Sequence, residues 1–243
     1  MARKGRPREQ KPLPPPLPPE TRTVGQLVAE TIRFYGAHFW RSLALGIGPA
    51  AITVAGYEIG RRPLLVVVGV GWVVLATASY VGACILVSES QPPRGALGNA
   101  FGVGVLIALP VPVLSFLFAL PALAWLAFFG LAVPATVIEG LRPRAALTRG
   151  MALARADYVH VLGSLCALAI VVFLTQVLLF SLLHSGSQQA IDIAGVLASL
   201  VIQPILFLGG AILYFDQAAR AVSSGPRPKR RRGADVSHAH NPH

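Results

Sequence analysis

Charged residues are missing from five long stretches: 42–57, 63–88, 95–138, 158–191 and 193–215 contain no Asp, Glu, Lys or Arg. A helix on the surface of a soluble domain keeps a polar stripe, whereas these segments are apolar all round. A membrane-spanning helix needs about 20 mostly apolar residues. The pattern therefore predicts spans at about 42–58, 63–86, 161–183 and 194–215. The stretch 95–138 is 44 residues long; as one helix it would reach about 66 Å, roughly twice the hydrocarbon core. It must fold back on itself. Pro110, Pro112 and Pro121 mark the zone of reversal, because proline breaks or kinks a helix, and the two spans fall near 97–114 and 119–138. The expected fold is all-α: a polytopic integral membrane protein with six transmembrane helices and two interfacial amphipathic helices.

The two amphipathic segments precede the first and fifth spans. In 23–40, Val24, Leu27, Val28, Thr31, Tyr35 and Phe39 recur at helical spacing, with Glu30 and Arg33 off the stripe. Thr23 and Gln26 have the spacing of a capping box, in which each side chain satisfies a free backbone donor of the other. Phe39-Trp40-Arg41 adds an aromatic anchor and a cation able to snorkel. In 139–160 the predicted apolar stripe is Leu147, Met151, Ala154 and Tyr158, continuing to Val161, with Arg149, Arg155 and Asp157 off it.

Composition agrees with a lipid solvent. Hydrophobic residues make up 54% and charged residues 13%, about half the charged share of soluble domains. The 21 Lys and Arg residues set the orientation. With six spans and the N-terminus inside, 19 of them fall on the cytoplasmic side and only Arg61 and Arg62 fall outside, as the positive-inside rule requires. Five spans would put Arg142, Arg144, Arg149 and Arg155 outside. The expected topology is multi-pass, with both termini cytoplasmic. Residues 1–22 read as a disordered basic and Pro-rich tail, 23–218 as the six-helix domain, and 219–243 as a second disordered basic tail. No cleavable signal peptide is expected, since the first apolar run begins near residue 42.

The net charge of +11 points to orientation and anionic lipid before nucleic acid, which is not favoured as a partner. Arg227, Lys229, Arg230, Arg231 and Arg232 are the candidate contacts for anionic lipid, at about 1 kcal/mol per charge near the inner leaflet. Cys84 and Cys166 lie within apolar stretches and read as packing residues. The sequence contains no HExxH, GxSxG, Walker A or CxxC; no catalytic residue, metal site or cofactor is expected. Gly69 and Gly71, and the pairs Gly56/Gly60 and Gly98/Gly102, read as positions of close helix packing. Ionisable groups, which transporters and pumps keep at membrane depth, occur only at span ends. Gln176 and Gln203, in the fifth and sixth spans, form a candidate intramembrane pair, with Pro204 loosening the helix beside Gln203.

Three segments carry a resemblance: TVGQLVAETIRFYGAHFWRSL, PATVIEGLRPRAALTRGMALARADYVHVLG and LYFDQAAR. Together they resemble the membrane domain attached to some glycerophosphoryl diester phosphodiesterases, and its stand-alone bacterial relatives of unknown function. Glu139-Gly140, Ala146-Leu147, Arg149 and Leu162-Gly163 match one motif of that group; Tyr214-Phe215-Asp216 with Arg220 approximates another. The resemblance, over roughly 22–220, implies a six-helix inner-membrane module. It does not imply phosphodiesterase activity, which belongs to a soluble barrel whose His-Arg-Gly signature is missing here. It makes Glu139, Arg149, Asp216 and Arg220 candidate interfacial ion-pair residues, in which Glu139 and Asp216 hold a surface helix to the bundle.

Three functions remain open at this point. A non-enzymatic membrane module interacting with lipid or with partner proteins fits the amphipathic helices and the absence of catalytic motifs. The alternative is a transporter or permease for a small or amphiphilic solute, suggested by the Pro-interrupted spans. A lipid-modifying enzyme using Glu139, Asp157 or Asp216 is the least favoured, because those acids fall in separate loops.

Overall fold

A computed structural model describes residues 18–58, 61–89, 91–183 and 186–223. Among these residues all regular structure is helical. After a short 3-10 turn at Pro19–Thr21 come α1 (Val24–Ala37), α2 (Phe39–Ala44), α3 (Ile47–Glu58), α4 (Arg61–Ser88), α5 (Ala96–Ala108) and α6 (Val111–Leu117). The chain continues through α7 (Ala119–Phe129), α8 (Ala132–Glu139), α9 (Pro143–Ala156), α10 (Tyr158–Leu183), α11 (Gln188–Ile202) and α12 (Pro204–Ser223). The protein is an all-α, multi-pass membrane protein. Five helical runs are long and apolar enough to cross a bilayer: Gly69–Ser88, Ala96–Phe116, Ala119–Glu139, Tyr158–Leu183 and Gln188–Ser223. The expected first span, 42–58, falls on α2 and α3, which are broken at Leu45–Gly46. α3 alone has 12 residues, about 18 Å of helix and short of the hydrocarbon core.

The long uncharged stretch does form a hairpin. Its reversal is at Phe118, an extended residue (φ −166°, ψ 153°) between α6 and α7. The prolines act differently from the expectation: Pro110 and Pro112 sit at the start of α6, where a missing N–H is harmless, and Pro121 lies in the first turn of α7. The last run also breaks. Pro204 has no N–H to offer the carbonyl of Leu200, and the helix is interrupted at Gln203. Gly46 packs against that same carbonyl; a Cβ there would overlap the Leu200 oxygen. The two interruptions, Leu45–Gly46 and Gln203–Pro204, thus bring α3 and α11 side by side. Thr53 and Ser199 share a hydroxyl–hydroxyl bond of 2.8 Å across this contact.

α8 runs through the middle of the molecule. Every residue from Ala132 to Val137 is buried, and their small size lets α4, α5 and α9 approach. α9 turns Ala146, Gly150, Leu153 and Ala154 inward, so the expected stripe of Leu147 and Met151 is only half-buried. Gly150 explains the rotation: a Cβ there would come within 2.7 Å of the Ala132 nitrogen, so this face alone permits the approach. The expected packing pair Gly98/Gly102 does not act so, and of the pair Gly56/Gly60 the second member lies outside the described residues. Gly56, Gly98 and Gly102 face open space, whereas Gly71 abuts Ile52 and Gly104 abuts Thr77.

α1 carries its capping box, with Thr23 and Gln26 bonded reciprocally. It packs along α10 and α12 with Leu27 and Thr31 fully buried, while Trp40 beyond it is 79% exposed. The basic run Arg227, Lys229, Arg230, Arg231 and Arg232, the proline-rich stretch before Pro18, and His184 lie outside the described residues.

Candidate functional site

One end of the bundle is closed by a polar girdle built around the last turns of α12. Asp216 is fully buried and accepts a 2.7 Å bond from Arg22 Nη1, whose side chain is 12% exposed. Arg22 lies just ahead of α1, so this pair fixes the amphipathic helix to the final helix. One turn on, Arg220 donates from Nη2 to the Arg22 carbonyl (2.6 Å) and from Nη1 to Asp157 (2.8 Å). Asp157 separates α9 from α10, and its other oxygen accepts the His160 amide at 3.2 Å. A helix start leaves its first N–H groups unpaired, so this carboxylate both caps α10 and holds the cation. The girdle therefore links the α1 entry, the α9–α10 corner and α12.

A second cluster lies beside it. Glu139 ends α8, and Gly140 follows in the left-handed conformation (φ 67°) that lets the chain turn at once into α9. Arg149 on α9 comes back to donate to Glu139 at 3.1 Å, and the Tyr214 hydroxyl of α12 donates to the same oxygen.

Of the residues predicted from sequence, Glu139 meets Arg149, while Asp216 and Arg220 lie one turn apart and bind different partners, Arg22 and Asp157. Glu139 and Asp216 do not converge on one reacting point. The expected pair of Gln176 and Gln203 is not formed. Val172 clusters with Ala198 and Ile202 where α10 and α11 run antiparallel. Gln176 lies a turn from Val172 toward the α10–α11 connection, and Gln203 lies past Ile202 in the opposite direction. No hydrogen bond joins their side chains, and neither side chain has another among the described residues. Sequence reasoning missed Gln217, fully buried with neither amide atom bonded. It reads there as one more polar residue of the C-terminal stretch.

The feature with the clearest capacity to hold a ligand is a partly enclosed cavity of about 200 Å³ between α4, α5, α7, α10 and α12. Apart from Pro49 of α3, every residue lining it belongs to one of the five candidate spans. Its walls are aliphatic and aromatic, including Ile107, Leu126, Leu165 and Phe207. No Asp, Glu, Lys, Arg or His lines it. The residues with polar side chains in its lining are Trp72, Thr77, Tyr80 and Gln203, of which Thr77 has its hydroxyl oxygen buried away from the space. Gln203 reaches the cavity because the helix breaks at it. The sequence signal was the Gln203–Pro204 pair; the cavity itself depends on space left between five helices and has no linear signature. No group of three or more His, Cys, Asp or Glu suited to a metal occurs among the described residues.

Comparison with models of protein families, with curated proteins and with solved structures returns no match to this chain.

Proposed function

We propose that this protein is a non-enzymatic membrane module that binds a lipid through the cavity between α4, α5, α7, α10 and α12. The cavity is the observation that carries this reading: it lies among the spanning helices, its walls are apolar, and no charged side chain lines it. Ligand sites are concave and mostly apolar, with a few polar groups that orient the ligand, and this one has that composition. The girdle supports the same reading from the other side. Its acids are committed to arginines and to a helix cap, whereas acid–base catalysis needs groups within hydrogen-bond reach of a common substrate.

In this reading the protein resides in a bacterial inner membrane with both termini cytoplasmic. The Lys and Arg distribution supports that orientation, and it requires α2 and α3 together to serve as a sixth, broken span. It also makes the chain a relative of the phosphodiesterase-associated membrane domain. The support is that the matched residues Arg149 and Tyr214 both donate to the matched Glu139.

The test is to purify the protein from membranes and identify retained lipid by native mass spectrometry, beside an Ala169→Phe variant that fills the cavity. The expected result is a bound lipid on the parent that the variant lacks. Equal lipid on both, or none on either, overturns the reading. Counterflow of a water-soluble solute into vesicles would favour the transporter alternative.

A further inference from the structure

The chemistry of the cavity narrows what it holds, an inference that rests on the lipid-site reading above. With no ionised side chain in its wall, a charged headgroup inside it would be desolvated without a partner, at a cost of several kcal/mol. The part of the ligand that enters is therefore uncharged.

The polar groups in the wall are mostly unsatisfied donors. Thr77 lines the cavity, but the residue is 3% exposed and its hydroxyl oxygen is buried away from the open space, so it offers a ligand no donor. The Gln203 amide and the Trp72 indole N–H line the same space, and neither is hydrogen-bonded among the described residues. Tyr80 differs, because its proton is donated to the Gly130 carbonyl at 3.2 Å, so it can only accept from a ligand. Hydrocarbon satisfies none of these groups, and an unpaired buried polar group costs about 1–3 kcal/mol.

Size adds a further limit. An apolar cavity of about 150 Å³ accommodates benzene. A cavity of about 200 Å³ accepts a ring or a short chain segment and leaves the rest of a lipid in the bilayer.

We infer that the cavity binds the carbonyl-bearing, uncharged portion of an amphiphile, with the Gln203 amide donating to its oxygen and the apolar tail extending into lipid. Two sources share this chemistry: a ring ketone, as in a lipid-soluble quinone, and the ester carbonyl of a neutral acylglycerol.

The experiment follows the melting temperature of the full-length protein in detergent, by circular dichroism, against four probes. These are a fully substituted benzoquinone with a decyl tail, dioctanoylglycerol, decane and decanoate. A ligand that binds only the folded state raises the melting temperature with concentration. One or both carbonyl probes should stabilise the parent at lower concentration than decane, and decanoate should not. Which carbonyl probe is stronger identifies the source. Gln203→Leu should weaken the carbonyl probe about three- to tenfold, the range of one hydrogen bond, and should not weaken decane. Gln203→Met, which removes the amide and keeps an unbranched side chain, supplies the same comparison if the first variant fails to fold. Equal stabilisation by decane, stabilisation by decanoate, or indifference to both substitutions overturns the inference while leaving the lipid site standing. No uncharged probe acting, or Ala169→Phe binding all of them normally, removes the site itself.

Discussion

The buried pair of Arg22 and Asp216 should dominate the stability of the girdle. Asp216 has no exposed surface and Arg22 retains 12%, so neither charge can turn to solvent when its partner is lost. Breaking such a pair by removing one member costs about 3–5 kcal/mol, because an uncompensated buried charge remains. For a chain of this length, about 2–4 °C per kcal/mol converts that loss to a fall in melting temperature of roughly 6–20 °C. Asp216→Ala and Arg22→Ala should each show it in detergent, read by circular dichroism. In a Cys166→Ser background, which removes the half-buried second thiol, a thiol-reactive dye gives an independent reading, since Cys84 is fully buried until the core opens. The double variant should lose less than the two single losses combined, the mark of residues in contact. If either single variant melts within a degree of the parent, or the losses simply add, the pair does not hold α1 to α12.

Three further outcomes follow from the packing. Gly46→Ala should strongly reduce the yield of folded protein on size-exclusion chromatography, because the new Cβ overlaps the Leu200 carbonyl. Arg149→Glu should lower stability by about 1 kcal/mol or less in a thermal melt, since both partners are partly exposed and screened. Thr23→Ala should remove the cap of α1 and cost about 1 kcal/mol, seen as faster amide exchange in the first turn of that helix.

Much of the architecture was legible in the distribution of charge. Uncharged tracts marked the long helices, Thr23 and Gln26 marked the start of α1, and Pro204 marked the break in the last run. What was not legible depends on three-dimensional proximity. The partner of Asp216 is 194 residues away and belongs to no local pattern. The buried face of α9 follows Gly150 and Ala146, whose small size permits the backbone of α8 to approach; a hydrophobic stripe instead selects Leu147 and Met151. Gln176 and Gln203 looked equivalent as amides within apolar helices. They diverge because one lies toward the α10–α11 turn and the other at a helix break facing the cavity.

The Arg22–Asp216 contact also dictates when the molecule can close. At roughly 5–20 residues per second of synthesis, the segment bearing Arg22 waits about 10–40 seconds for its counterpart to emerge. During that interval α1 has no α10 or α12 to lean on, and its capped, amphipathic form suits a provisional berth on the bilayer surface. The contact that completes assembly thus joins the entry of α1 to α12, the first helix made to the final one.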